Sequence, residues 1–248
     1  MKKTISLSVG LVMAMAANAT DNPLWLRDVA ISPDGSTVAF TFKGDIFTVP
    51  VQGGTAKQIT TSRAYDSSPI WSLDGKEIAF RSNREGTDDI YVIPSIGGTA
   101  RRITTSSGSE SPLTYLPDGR LLFITSGMPG RTTAQAPFST QTYVVSTSEP
   151  NVRPELYLSL PMTSANAAAD GRLLYQDRKG YENLYRKHER SSGTADIWLA
   201  DAGKFTKLTD FNGHDLNPVW SPDGTKYYYL SERDNNVLNV YVATIGSA

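Results

Sequence analysis

The run Ile31-Ser32-Pro33-Asp34-Gly35-Ser36-Thr37-Val38-Ala39-Phe40 comes back along the chain in altered copies, and that recurrence leaves few folds open. Trp71-Ser72-Leu73-Asp74-Gly75-Lys76-Glu77-Ile78-Ala79-Phe80 is the second copy, and Tyr115-Leu116-Pro117-Asp118-Gly119-Arg120-Leu121-Leu122-Phe123 the third. Ala168-Ala169-Asp170-Gly171-Arg172-Leu173-Leu174-Tyr175 and Trp220-Ser221-Pro222-Asp223-Gly224-Thr225-Lys226-Tyr227-Tyr228-Tyr229 complete the set. Asp-Gly between two runs rich in aromatic and β-branched residues signals a β-hairpin, because Gly accepts the positive φ of a tight turn. The aspartates stand at 34, 74, 118, 170 and 223, so successive copies lie 40, 44, 52 and 53 residues apart. A period of roughly 40–45 residues built from short strands is that of propeller blades, and the longer intervals imply loop insertions. Helical solenoids share the period, but no segment carries a sustained 3.6-residue apolar pattern. The chain is predicted to be all-β, a β-propeller of four-stranded antiparallel blades.

The first blade is predicted as strands 28–32, 37–41, 45–49 and 56–60, with a turn at Gln52-Gly53-Gly54. The second copies it through Asp89-Ile90-Tyr91-Val92-Ile93-Pro94, a turn at Gly97-Gly98, and Arg101-Arg102-Ile103-Thr104. The third carries an insertion from Gly127 to Ser139, and its outer strand is assigned to Leu156-Tyr157-Leu158. The fourth is interrupted by a charged insertion after Asp177, and the fifth is partial. Blades are therefore placed at 28–62, 68–106, 111–160, 164–210 and 216–248. An unclosed propeller exposes edges that template aggregation, so either the chain is part of a longer protein, the favoured reading, or a partial five-bladed ring is closed by residues 20–27.

Met1 to Ala19 has the three regions of a secretory signal peptide in order. Lys2 and Lys3 form the basic start, Ile5 to Ala16 the apolar stretch, and Ala17-Asn18-Ala19 an A-x-A cleavage site. Cleavage after Ala19 predicts a periplasmic or secreted protein, and no segment is long enough to span a bilayer. The 248 residues hold 24 Lys and Arg against 25 Asp and Glu, a formal net charge of −1, which gives no electrostatic footprint for nucleic acid. Cysteine is absent, which removes disulfides, thiol nucleophiles and thiolate metal sites.

The repeats resemble the WD40-like (PD40) repeats of the TolB family, which share the S-P-D-G hairpin and a D-I-Y/W third strand. The fourth blade is more specific: Gly180-Tyr181-Glu182, Arg186-Lys187-His188, Ser191-Ser192, Asp196-Ile197-Trp198, Lys207-Leu208-Thr209-Asp210-Phe211 and Asn217-Pro218-Val219-Trp220. This stretch resembles the N-terminal propeller of tricorn-protease-like serine peptidases. The resemblance implies a six-bladed ring that guides unfolded peptides toward an active site. It also implies partner domains beyond the propeller: a second β domain, a PDZ domain and a C-terminal peptidase domain. The family's catalytic residues lie in those later regions, so none is carried over to a position here. The other reading is a stand-alone TolB-like propeller that serves as a protein-interaction scaffold.

The segment from Asp177 to Ser192 holds Arg178, Lys179, Arg186, Lys187 and Arg190 against Asp177, Glu182 and Glu189. Arg178, Arg186, Lys187, His188 and Arg190 are the candidate peptide-binding residues, since a guanidinium offers a two-point fork to a carboxylate. The competing reading has the segment pack on another domain or pair its charges in solvent. Tyr181 and Tyr185 interleave these cations, but export and the balanced charge argue against single-stranded nucleic acid. No catalytic group is assigned. His188 lies among cations that oppose an imidazolium, His214 fills a loop slot held elsewhere by Tyr65 and Gly108, and no G-x-S-x-G occurs. No paired carboxylates are placed for glycan cleavage. No metal or cofactor is expected: the acids lack ligand spacing, and the Gly pairs precede strands rather than helices. Asp45, Asp89 and Asp196 recur before an apolar strand and are read as turn-formers bonding their own backbone. Trp71, Trp198 and Trp220 are read as core between blades.

Overall fold

The computed structural model describes residues 25–125, 140–149, 152–179 and 188–246. The expected signal peptide (1–19), the 127–139 insertion, Arg186 and Lys187 lie outside these. The first blade consists of β1 (Arg27–Ile31), β2 (Thr37–Phe42), β3 (Asp45–Pro50) and β4 (Lys57–Gln58). The second has β5 (Asp66–Trp71), β6 (Glu77–Ser82), β7 (Asp89–Pro94) and β8 (Arg101–Arg102). The third has β9 (Glu110–Tyr115), β10 (Leu121–Thr125), β11 (Gln141–Val145) and β12 (Glu155–Leu158). The fourth has β13 (Met162–Ala167), β14 (Leu173–Asp177), β15 (Ile197–Asp201) and β16 (Lys204–Lys207). The fifth has β17 (Asp215–Trp220), β18 (Lys226–Ser231) and β19 (Asn239–Thr244). Each sheet is antiparallel with its strands in chain order, four sheets having four strands and the last three. Among the described residues there is no helix.

The repeated hairpin is fixed by its own side chains. Gly35 N–H donates to Ser32 C=O at 2.9 Å, and Gly35 has a φ of 71°, the left-handed conformation its lack of Cβ permits. Asp34 Oδ1 accepts from Ser32 Oγ at 2.5 Å and from Ser36 N–H at 3.0 Å. Asp74 and Asp223 repeat the arrangement with Ser72 and Ser221. These donors, the serine hydroxyl foremost, hold all three carboxyls down at about 2. The turns therefore stay ionised and bonded across the physiological range.

The core lies between blades rather than at the centre. Ala79, Ile90 and Val92 of the second blade pack on Tyr115, Leu121 and Phe123 of the third. The opposite face of the second blade, with Trp71, Ile78, Phe80 and Tyr91, packs on Ala39 and Ile46 of the first. Both faces of an inner blade are buried, as the apolar runs of its strands require. Trp71 and Trp220 are buried and Trp198 is partly buried against the core between the third and fourth blades.

The outer strands of the first, second and fourth blades are shorter than expected from sequence, while β12 of the third is one residue longer; the first blade shows why its ladder stops early. Ile59 N–H and Thr60 N–H both turn to Ile46 C=O, at 2.8 and 3.3 Å, so the regular ladder stops at Gln58. Thr60 Oγ1 instead accepts from Ile46 N–H at 2.9 Å. The reading of Asp45, Asp89 and Asp196 as local turn-formers is corrected by the same contacts. Asp45 accepts from Gln58 and Thr60, Asp89 from Arg102, and Asp196 pairs with Lys179 and with Lys207 at 2.8 Å. In the first, second and fourth blades these acids hold the outer strand to the third strand, across 11 to 15 residues of sequence.

Candidate functional site

Every inner strand carries a bulge against its neighbour. The register slips within β1, β5, β13 and β17, and opposite β10 within β9. Asp28, Ser68 and Asn217 sit at three of these with φ of 49°, 55° and 51°. A bulge bends the strand and re-aims its side chains, which lets bonds form from blade to blade. Ser68 N–H donates to Asp28 Oδ2 at 3.2 Å and Trp71 Nε1 to Ala30 C=O at 3.2 Å. Farther round, Ala167 N–H reaches Thr114 Oγ1, Asn217 N–H reaches Gln176 Oε1, and Trp220 N–H and Nε1 reach Asn166.

These strands surround an axial cavity of about 640 Å³ to which all five blades contribute, from Val29, Trp71, Thr114, Ala165 and Val219 among others. That volume is in the range that holds a small ligand or a few residues of chain. Asp28 is the one charged residue in its lining; the rest is apolar, aromatic, hydroxyl or amide. Each inner strand also ends its sheet on the axial side, so backbone N–H and C=O groups not taken by the inter-blade bonds face the cavity. Such a wall can bond extended backbone with little regard to sequence.

The charged insertion meets the junction of the fourth and fifth blades. Lys179 is held by Thr194 C=O at 2.7 Å and by Asp196. Arg190 lies over the Phe211 ring at 4.7 Å, and its Nη2 donates to Asn236 at 2.5 Å. Gly213 makes this possible, since a Cβ there would stand 2.4 Å from Arg190 Nη1. His188 Nδ1 is 3.4 Å from Glu232 Oε2, and Arg190 is 3.9 Å from the same atom. His214 Nδ1 accepts from Ala195 N–H at 3.1 Å, and its Nε2 lies 3.9 Å from Glu189. Of the predicted peptide-binding set, His188 and Arg190 thus converge on the fifth blade. Arg178 N–H bonds Pro161 C=O at 3.1 Å, beside the fourth blade's first strand. Arg186 and Lys187 lie outside the described residues. Among the described residues no group of acids and histidines is arranged to hold a metal ion.

Sequence reasoning missed a paired device on the same rim. Arg84 Nη2 contacts both oxygens of buried Asp66 at 3.1 Å, and Arg233 Nη2 contacts both of Asp215 at 3.3 Å. The signal was available: each arginine follows its aspartate by 18 positions and follows a serine by two. The third blade has Glu110 in the aspartate's place, bonded to Ser106 at 2.6 Å, with Oε2 buried and unpartnered. Burial pushes the Glu110 carboxyl up from 4.5, with Asp89 adding repulsion. A raised folded-state value means stability is fully present below pH 4.5 and is lost as pH rises through the folded value. Glu110→Gln is therefore expected to stabilise the protein by about 1 kcal/mol at pH 7 and to change little at pH 4. Urea melts at the two pH values check this; an equal effect at both would refute it.

Five antiparallel sheets set around one axial cavity define a β-propeller. The chain belongs to the family of tricorn protease N-terminal beta propeller domains, whose model matches residues 23–248. The tricorn protease crystal structure superposes with a TM-score of 0.70 at 24% identity, covering 89% of this chain and 21% of that one. A putative TolB from Agrobacterium tumefaciens gives 0.67 at 19% identity, covering 89% of this chain and 77% of that one. Dipeptidyl-peptidase 5 of Porphyromonas gingivalis is 35% identical over 72 residues, 25% of this chain and 10% of that protein. The chain thus spans a small part of its peptidase relatives, and likeness at these structural identities speaks to fold alone.

Proposed function

We propose that this chain is the non-catalytic propeller region of an exported tricorn-like serine peptidase, guiding extended peptides along its axis and docking other domains. The observation that carries the reading is the axial cavity, nearly uncharged and walled by strand edges, in a member of the tricorn N-terminal propeller family. Such a wall suits substrates of varied sequence. Export rests on the signal peptide, with cleavage after Ala19 and a periplasmic or secreted product; among the described residues no helix is long and apolar enough to cross a membrane. Arg178, Arg186, Lys187, His188 and Arg190 would meet a peptide carboxylate or acidic side chain where the insertion borders the rim.

A sixth blade would complete the ring. On the first blade, Val29 and Ile31 are exposed beside Phe40, Phe42 and Phe47, which pack on one another at 5.9 Å. On the fifth, Val219, Tyr228, Val240 and Val242 are exposed. Their equivalents in the second blade are buried against neighbours, so the two apolar faces match the two sides of one more blade.

The test is to capture the native protein from its own cells with an antibody to this region. A product several times heavier than the chain is expected. In it, Arg186→Ala with Lys187→Ala should lower kcat/KM on acidic peptides by roughly tenfold with kcat little changed. A product of the chain's own size would refute the peptidase reading and leave the TolB-like scaffold.

A further inference from the structure

We propose that the pocket between the Asp-Gly hairpins of the first and second blades binds an arginine side chain of a partner protein, seated over Trp71. The fourth and fifth blades show the same seat filled from within. Arg172 Cζ lies 4.6 Å from the centre of the Trp220 ring, its Nη2 donates to Gly224 C=O at 2.8 Å, and its Nε donates to Asp170 Oδ2 at 2.8 Å. A planar guanidinium can meet an aromatic face, a carbonyl and a carboxylate at once; an ammonium lacks the plane. Where the aromatic is missing, the guanidinium goes elsewhere. Arg120 has the place of Arg172 in the third blade, but the next blade offers Ala168 where Trp220 stands. Arg120 keeps the bond to Asp118 at 2.9 Å and sends Nη1 to Glu155 at 3.3 Å instead.

The first and second blades repeat the seat without its arginine. Trp71 Nε1 donates to Ala30 C=O at 3.2 Å as Trp220 Nε1 donates to Asn166 C=O at 3.0 Å, so the two indoles are set alike. Gly75 and Gly224 close matching turns, with φ of 69° and 66° and N–H bonds of 2.9 Å to Ser72 and Ser221 C=O. Ser36 stands in the place of Arg172, and its short side chain reaches only to Asp34, at 2.8 Å, and to Thr37. What remains is a pocket of about 640 Å³, lined by Asp34, Ser36, Trp71, Asp74 and Gly75 among others. Pro33 stands nearest Gly75, 3.6 Å from where a Cβ would be, and forms one wall. The ionisable lining is two aspartates against Lys57, whose Nζ is held by Ile96 C=O at 2.6 Å. Lys76 also touches Asp74, at 3.1 Å, but from solvent, where such a contact is worth little. Leu73 and Ile96 border the pocket at 51% and 77% exposure, so the arginine is expected on a chain with apolar neighbours rather than free. This inference does not rest on the peptidase reading.

The probe is the tripeptide Leu-Arg-Leu, capped at both ends and titrated into the full chain while NMR follows the indole N–H signals of Trp71 and Trp220. A saturable shift of the Trp71 signal is expected, with Trp220 unmoved because Arg172 holds its seat. Lysine in place of the probe's arginine should weaken binding about tenfold. Ser36→Arg should fill the pocket from within and abolish the response. Arg172→Ser should do the reverse, vacating the second seat so that the Trp220 signal shifts as well. No saturable shift at Trp71, equal binding of the lysine peptide, or a Trp220 signal that still ignores the probe in the Arg172→Ser chain overturns the proposal. So does a Ser36→Arg chain that folds and still binds.

Discussion

Replacing Arg84 by alanine is expected to destabilise the protein by about 3–5 kcal/mol, the range for stranding one partner of a buried ion pair. Asp66 is 0% exposed, and Arg84 is its one hydrogen-bonding side chain among the described contacts, reaching both carboxylate oxygens at 3.1 Å. The guanidinium also lies over the Tyr91 ring at 4.3 Å and the Phe80 ring at 5.5 Å, while its Nε donates to Ser82 Oγ at 2.9 Å. One side chain thereby joins the inner, second and third strands of a blade. Asp66 N–H in turn bonds Gly44 C=O of the preceding blade at 2.8 Å, so the damage would reach the junction. Lysine at 84 would keep the charge but lose the fork and the stacking, and should recover less than half. Leucine at 66 with methionine at 84 removes both charges and should recover most of the loss. Guanidinium melts of the four proteins decide it. A loss below about 1 kcal/mol in the alanine variant, the value of an exposed pair, would show that the pair does not tie the blade together.

The parts of this fold legible in the sequence are those whose partners lie close along the chain. The Ser-x-Asp-Gly hairpins announce themselves because Asp34 bonds residues two positions away on either side and Gly35 needs a positive φ. The third strands announce themselves because an acid followed by apolar residues is repeated at Asp45, Asp89 and Asp196. What those acids do was not legible, because Gln58, Arg102 and Lys207 reach them from 11 to 13 positions away, and only the fold brings them together. The same limit applies to the candidate site. Arg190 reads as one cation in a charged run, and nothing local says that Phe211, Asn236 and Gly213 form its berth. The axial cavity is a property of five strands at once. Its neutral lining could be read only after the bulges had shown which residues face the axis.

Ile90→Ala is expected to destabilise the chain by about 2–5 kcal/mol, and Val240→Ala, at the same place in the repeat, by less than about 0.5. Ile90 is fully buried in the core between the second and third blades, where a lost branch leaves a cavity that neighbours cannot fill. Val240 presents the equivalent side chain to solvent, and Val242 does so at 56% exposure where Val92 has 1%. The contrast becomes a measure of ring closure when both substitutions are repeated in the heavier native product. If a sixth blade lies on the open face, Val240→Ala should then cost 1 kcal/mol or more, since its methyl groups would be buried there. If Val240 stays silent in the longer protein while Ile90 remains costly, the fifth blade faces solvent there too. Six-fold closure would then be wrong, even with the peptidase domains attached.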